Sequence, residues 1–422
     1  MTPASHAFLL GQGGEVSTNG RGENPPLNVV RFERWESLQP WAQQWDRLAR
    51  GVPFRSWAWQ SSWWDQYGAD EAEAGGKEAR VAGGLKVARA ARRASALSVL
   101  GVFATDGGLV GLLPLYRQNT WWLGRVLRFL GSGEVCSEYL SILCEPEWEA
   151  AVASALATWL AQANRSQPLD PNARWDLLEL SAVDAQDSGV ARLAAALEAS
   201  GHAVHCRPGP PCWRVPLASS WEGFLRPLSR NRRRKFRLLE REFVEGGAQA
   251  RCVERPEEIA PAVDRLIAFQ QARRRQLKQR TCFDSPRFTV FLRESAVALW
   301  QSNQLALIVV EKDHRPLAVE LTFRGPDRLY AYQAGIDGSR LHESPGHLGT
   351  YALVRYALEH GLRILDFLRG DEPYKADWEA QPHPTLEFRV AARGPLARLR
   401  HAVWRIAAET KIRVRRKLRH AC

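Results

Sequence analysis

The sequence predicts a mixed α/β fold made of two units of comparable size. Three observations carry this reading. The chain has 422 residues, more than one ordinary core organises, and its 45% hydrophobic and 25% charged content is that of a globular protein. Helix-period stretches alternate with strand-period stretches along most of its length. One group, "LALIVVEKD", "RPLAVELTFRG" and "RLYAYQAGID", reads as a three-strand meander and is followed by a helix and a further strand.

In chain order, residues 1–26 are rich in Gly, Ser, Asn and Pro and predict a disordered tail. No basic start precedes the short "AFLL", so a signal peptide is not expected and a cytoplasmic location is. The first unit is expected over residues 27–215. "SLQPWAQQWDRLAR" predicts a helix, and "PFRSWAWQSSWWDQYG" a second with Trp57, Trp63 and Trp64 inward. Residues 69–95 carry Ala, Gly and charge with almost no large apolar residue, which predicts a flexible insertion. "ALSVLGVFATDGGLVGLLPLYRQ" predicts a hairpin turning on Asp106-Gly107-Gly108, and "EYLSILC" a strand. Two more helices, "EWEAAVASALATWLAQA" and "SGVARLAAALEASG", flank the strand "WDLLELSAV", and a short strand closes the unit.

The second unit is expected over residues 216–390. It opens with an Arg-rich helix in "WEGFLRPLSRNRRRKFRLLEREFVEG", with Leu225, Leu228, Phe236, Leu238, Leu239 and Phe243 as its buried side. "EEIAPAVDRLIAFQQARRRQL" and "SPRFTVFLRESAVALWQSN" follow as helices, the latter capped by Ser285 with Pro286 at its first position. The meander, the helix "HLGTYALVRYALEHG" and the strand "LRILDFL" complete it. Residues 391–422 predict a basic amphipathic helix with Leu396, Leu399, Val403, Ile406, Thr410, Val414 and Leu418 along one side.

Seven cysteines, an odd number without a C-x-x-C pair, argue against a disulfide framework or a zinc centre. His342 and His347 flank "ESPG" without further ligands in a familiar spacing, so no metal is expected. The formal charge of +12 points to an anionic partner. It is concentrated in "RNRRRKFR" and in residues 393–420, which hold ten Lys or Arg against one acid, Glu409. For the first stretch a solvated or substrate-phosphate face stands ahead of a membrane and RNA. For the second, contact with an anionic membrane at its inner face stands beside plain docking on the domain.

Two places draw attention as a site. At "SPGHLG", Ser344 as a cap, Pro345 in the first turn, and Gly346 and Gly349 would leave backbone amides of a helix start open to a phosphate. An ordinary helix start explains the same residues. At "DFLRGDEPYKADW", an apolar strand runs into Arg369, Gly370, two acids, Tyr374 and Lys375. If the two strands flanking that helix are neighbours, both places border one cleft.

The run from "WEGFLRPLSRNRRRKFRLLERE" to "SPGHLGTYALVRYALEHGLRILDFLRGDEPYK" resembles the GNAT acyltransferase superfamily. More narrowly it resembles the CelD-type acetyltransferase branch, related to the Fem aminoacyl transferases. "PFRSWAWQSSWWDQYG" and "GLLPLYR" resemble the N-terminal half of that branch. The resemblance implies two tandem GNAT-like modules, acetyl-CoA or another acyl-CoA as co-substrate, a small-molecule or glycan amine acceptor such as a polysaccharide precursor, and no metal. It also implies donor contacts at Ser344, Gly346, His347, Leu348 and Gly349. The stretch "SPGHLG" departs from the usual loop, in which Arg or Gln precedes Gly-x-Gly or Gly-x-Ala. Fem-type relatives take aminoacyl-tRNA, which keeps that donor as an alternative; a non-catalytic scaffold for envelope assembly is the other.

Roles follow from what amine acylation needs: a neutral amine, support for the thioester oxygen and a proton for the thiolate. Lys375 is the candidate for developing negative charge, as the resemblance to Fem-type enzymes implies; a surface lysine is the bland alternative. Tyr374 is a proton donor or a packing ring. Asp366, in an apolar run, is expected to pair with Arg369 and orient it, or to take an amine proton through water. Glu320 interrupts "LAVELTF" on the strand face opposite Leu317, Val319, Leu321 and Phe323, as a general base or a solvated carboxylate. Gln333, Arg369, Arg232 and Arg233 are the expected substrate contacts.

Overall fold

The computed structural model describes residues 26–68, 95–164 and 171–419. The expected tail and the expected insertion at 69–95 lie, but for one residue each, outside the described residues.

The first half contains β1 (Asn28–Phe32), α1 (Ala42–Ala49), α2 (Trp57–Tyr67), β2 (Ser95–Leu97), β3 (Val99–Phe103), β4 (Leu109–Leu113), β5 (Leu115–Thr120) and β6 (Gly124–Phe129). It continues with β7 (Leu143–Cys144), α3 (Glu149–Gln162), β8 (Leu177–Asp184), α4 (Ser188–Ala199) and β9 (Ala203–Pro208). β10 (Cys212–Pro216) ends the first half, and the second half contains α5 (Trp221–Leu225), α6 (Arg230–Val244), β11 (Ala248–Cys252), α7 (Pro256–Gln276), α8 (Pro286–Gln301), β12 (Leu305–Lys312) and β13 (Arg315–Arg324). After these come β14 (Arg328–Ile336), α9 (Pro345–Glu359), β15 (Ile364–Arg369), α10 (Tyr374–Asp377), β16 (Gln381–His383), β17 (Thr385–Ala391) and α11 (Pro395–Arg419).

The fold is mixed α/β, as the sequence predicts. A four-stranded sheet β1-β3-β4-β7 and a six-stranded sheet β2-β5-β6-β8-β17-β9 form the first half; a seven-stranded sheet β11-β12-β13-β14-β15-β10-β16 forms the second. The expected boundary at 215/216 does not separate the halves cleanly. β10 inserts between β15 and β16 of the second sheet, and β17 inserts between β8 and β9 of the first. Each half thus lends the other an interior strand.

The hairpin over Asp106–Gly108 forms as expected, with β3 and β4 antiparallel. "EYLSILC" is mostly not a strand: Cys136 and Tyr139 adopt positive φ and break the extended run, leaving only β7. The single Arg-rich helix is two, α5 and α6, interrupted around Pro227 and capped separately by Ser220 and Ser229. Leu238, expected inside, is 52% exposed, because the buried stripe of α6 runs through Phe236 and Leu239. On α2, Trp59 and Trp63 are fully buried while Trp57 and Trp64 are only partly so. Trp59 packs edge-on against Phe291 (4.8 Å) and Phe323 (5.2 Å), so the core runs continuously from one half into the other.

Candidate active site

β14 and β15 are parallel neighbours for three pairs, Arg328↔Ile364, Leu329↔Leu365 and Tyr330↔Asp366, and no further. Both strands then continue unpaired with each other, to Ile336 and Arg369. A register shift in the β13–β14 ladder leaves Tyr332 as an extra residue, which bends β14 as a bulge does. Leu368 and Gly370 at positive φ (57° and 104°) turn the other strand. The sheet opens, and a crevice of about 760 Å³ lies in the gap. The start of α9 (Ser344–His347), the end of β15 and α10 (Phe367–Arg369, Glu372, Tyr374, Lys375) and Glu320 of β13 all line it. The two stretches singled out in the sequence therefore share one crevice.

Glu320 is 5% exposed, and burial pushes its carboxyl up to about 8. It has no hydrogen-bond partner among the described residues. Gly349, one turn into α9, makes the room for it, since a Cβ there would collide with Glu320 Oε1. Leu348 points the other way, into the core, at 0% exposure. It does not face the crevice, because position 348 is on the packed side of α9.

The start of α9 departs from the expected cap. Ser344 sits in the left-handed region (φ 55°) and its side chain makes no capping bond. Its carbonyl instead accepts from His347 N (2.9 Å) and Leu348 N (3.1 Å). Pro345 has no amide hydrogen, so Gly346 is left as the first-turn amide without an acceptor among the described residues. His347 lies 3.8 Å from Asp377, and burial, then Lys235, lowers its pKa.

Lys375 is 3% exposed, and its ammonium is surrounded. Nζ donates to the carbonyls of Phe367 (3.2 Å), Leu368 (3.4 Å), Arg369 (2.9 Å) and Gly370 (3.0 Å), and lies 2.9 Å from Glu372 Oε2. An ammonium has three protons and all are taken. In place of a free cation aimed at substrate, Lys375 braces the turn that opens the crevice. Tyr374 is 41% exposed with its ring edge-on to Phe367 (5.5 Å). Burial of its hydroxyl, then Glu320 and Glu372, raise the phenol pKa, so it stays protonated.

Asp366 and Arg369 do not pair with each other. Residues three apart on a strand fall on opposite faces. Asp366, fully buried, accepts from Tyr139 Oη (2.6 Å) and Arg214 Nε (2.9 Å), and its other oxygen accepts from Leu368 N (2.9 Å). Arg369 pairs with Glu138 and donates to the Ser137 carbonyl (3.2 Å). Glu138 is itself buried, and burial outweighs Arg369 to raise it to about 7. Both residues thus clasp the first half to the second, and only Arg369 also borders the crevice.

Gln333 lines the crevice and accepts from Gln270 Nε2 (2.8 Å). Arg232 and Arg233 are outside it. Arg232 pairs with Glu379 and donates to the Ala376 carbonyl (3.2 Å), and Arg233 donates to the Arg226 carbonyl (3.1 Å), because α6 flanks α10 from behind. Sequence reasoning missed the opposite wall: Gln270 and Arg274 of α7, Arg280, Thr281 and Cys282 of the link to α8, and Cys136 from the first half. No signal marked these; "RRRQLKQRT" reads as a helix end. Among the described residues no cluster of His, Cys, Asp or Glu could hold a metal.

Residues 229–376 match the family model "Acetyltransferase (GNAT) domain". No curated protein matches the chain. Among solved structures, the crystal structure of FemX is 12% identical, covering 72% of this chain and 90% of that one with a TM-score of 0.51, which is a likeness of fold. A tandem GNAT protein from the clavulanic acid biosynthesis pathway is 16% identical over 88% of this chain and 99% of that one (TM-score 0.44). The C-terminal domain of a putative lysylphosphatidylglycerol synthetase from Agrobacterium fabrum is 10% identical over 72% and 85% (TM-score 0.46).

Proposed function

We propose that the crevice between β14 and β15 is the active site of a GNAT-type N-acyltransferase, with acetyl-CoA or another acyl-CoA as donor and an amine as acceptor. The observation that carries this is the opened sheet with a buried, unpartnered carboxylate at its floor. A thioester threads the gap; its acyl carbonyl finds strand amides freed where pairing stops. The amine nitrogen attacks the thioester carbon, a C–N bond forms and the C–S bond breaks. Glu320, whose raised pKa suits it to accept a proton near neutrality, takes the proton that the amine loses. Tyr374, held neutral, returns one to the departing thiolate. The acceptor enters from the Gln270–Cys282 wall. An amino sugar or other polysaccharide precursor, which the resemblance to the CelD-type branch suggests, is the acceptor to try first.

The test is to follow thiol release from acetyl-CoA with a panel of amino-sugar acceptors and to measure CoA binding by calorimetry. Release with at least one acceptor is expected. No release together with no CoA binding overturns the reading.

One observation favours a second donor. A single open amide at Gly346 is a thin cradle for a pyrophosphate, and an aminoacyl-tRNA would not need one. That reading expects tRNA binding that weakens steeply with salt and is lost when Arg274 and Arg280 are neutralised.

A further inference from the structure

Outside the crevice, the chain carries an exposed apolar surface on α11 and the turn between β5 and β6. The first turns of α11 are held in a fixed orientation. Ala397 and His401 are buried, and Trp404 lies under the Arg389 guanidinium (4.1 Å). Arg398 donates to the Gly201 carbonyl (2.8 Å). The other side of the helix is thereby forced outward, and it is apolar: Leu396, Leu399 and Val403 are 57%, 61% and 43% exposed at spacings of three and four. The turn between β5 and β6 stands beside it, with Trp121 at 79% and Trp122 at 44% exposure and their rings 5.9 Å apart. Arg400 joins the two elements, since a Cβ at Gly124, at the start of β6 beside that turn, would lie 2.9 Å from its Nη1.

Large apolar side chains exposed together mark an interaction site. The charge that this segment carries in sequence says what kind. Residues 393–420 hold ten Lys or Arg and one acid, Glu409. Paired tryptophans, an aliphatic helical stripe and a strongly cationic segment are the chemistry that seats a protein in the headgroup layer of an anionic bilayer. We propose that this face docks on an anionic lipid surface, with Trp121, Trp122, Leu396, Leu399 and Val403 entering the headgroup boundary. The chain lies on the bilayer in this arrangement: no described helix is long and apolar enough to cross it.

Flotation of the full-length protein with vesicles tests this. The protein should float with phosphatidylcholine–phosphatidylglycerol vesicles at low salt and at least tenfold less with phosphatidylcholine alone. Trp121→Ser with Trp122→Ser, and separately Leu396→Ser with Leu399→Ser, should each lower the partition about tenfold, as loss of buried apolar area predicts. Both pairs are exposed, so their melting temperatures should match the wild type. The unmodified chain gives an independent reading, as brominated acyl chains should quench part of its tryptophan emission. Absence of flotation or of quenching overturns the proposal. So does flotation unchanged in both double variants, or a self-association or RNA binding that those variants abolish while lipid binding persists. Glu320→Gln should float like the wild type, which separates this result from that of the acyl-transfer assay.

Discussion

The two halves contain the same junction and use it differently. In each, a meander strand leads through a helix to a strand parallel to it: β6, then β7 of the other sheet and α3, then β8 in the first; β14, α9 and β15 in the second. In each the parallel ladder has three pairs: Val126↔Leu177, Leu127↔Leu178 and Arg128↔Glu179 against Arg328↔Ile364, Leu329↔Leu365 and Tyr330↔Asp366. In the first half the gap beyond the ladder is closed. The returning chain lays Leu140 N on the Ala182 carbonyl (3.1 Å), with Leu130 and Val135 fully buried nearby. Arg128 locks the strands to each other through Glu179 (2.6 Å), and α3 carries an acid, Glu149, in its first turn. In the second half the gap is empty, and the first turn of α9 has no acid. The segment that fills the first gap also supplies Glu138 and Tyr139, the residues that clasp the second half through Arg369 and Asp366. One junction is filled and serves as scaffold; the other is open and forms the crevice proposed as the active site.

If that contrast is right, the largest effect belongs to Glu320. Glu320→Gln should lower kcat/KM about 10²- to 10⁴-fold, the usual range for losing a general base. The wild-type rate should rise about tenfold per pH unit below pH 8, where the carboxyl is half ionised, and level off above it; the variant should be flat. Stability should move the opposite way. A carboxyl whose folded pKa is raised favours the folded state while protonated, and that contribution is lost as pH climbs from about 4.5 to 8. The Gln variant should therefore melt above the wild type at pH 9. Equal melting curves would mean that Glu320 is better solvated than the geometry indicates.

Lys375→Met should come next. It strands four carbonyls at the turn, costing about 2–4 kcal/mol in denaturant unfolding, with activity falling as the turn loosens. Wild-type stability with lost activity would instead restore the free-cation role. Asp366→Asn should cost about 1–3 kcal/mol through Arg214 and Tyr139, without a shift in the pH profile. Smallest is the closed junction: Arg128→Met, a partly exposed pair, should cost about 1 kcal/mol or less and leave kcat/KM unchanged.

What was legible in the sequence follows the range of the interactions. The β12–β14 meander could be read because alternation and turn residues are local, and the two crevice walls because "SPGHLG" and "DFLRGDEPYK" each end or begin an element. The partners of Asp366 could not. Tyr139 and Arg214 lie 227 and 152 residues away in sequence, and nothing local distinguishes them from Arg369. The exchange of β10 and β17 is hidden for the same reason: each strand looks like part of the unit that precedes it. Ser344 misled because Ser-Pro is a common helix opening, and its left-handed backbone is decided by the turn from Leu341 to Ser344.

Hydrogen exchange with and without a non-transferable acyl-CoA analogue sets the two junctions against each other in one sample. Added protection is expected over residues 331–336 and 345–348 and none over 126–129 or 149–152. Protection at neither junction, or at the first, would contradict it.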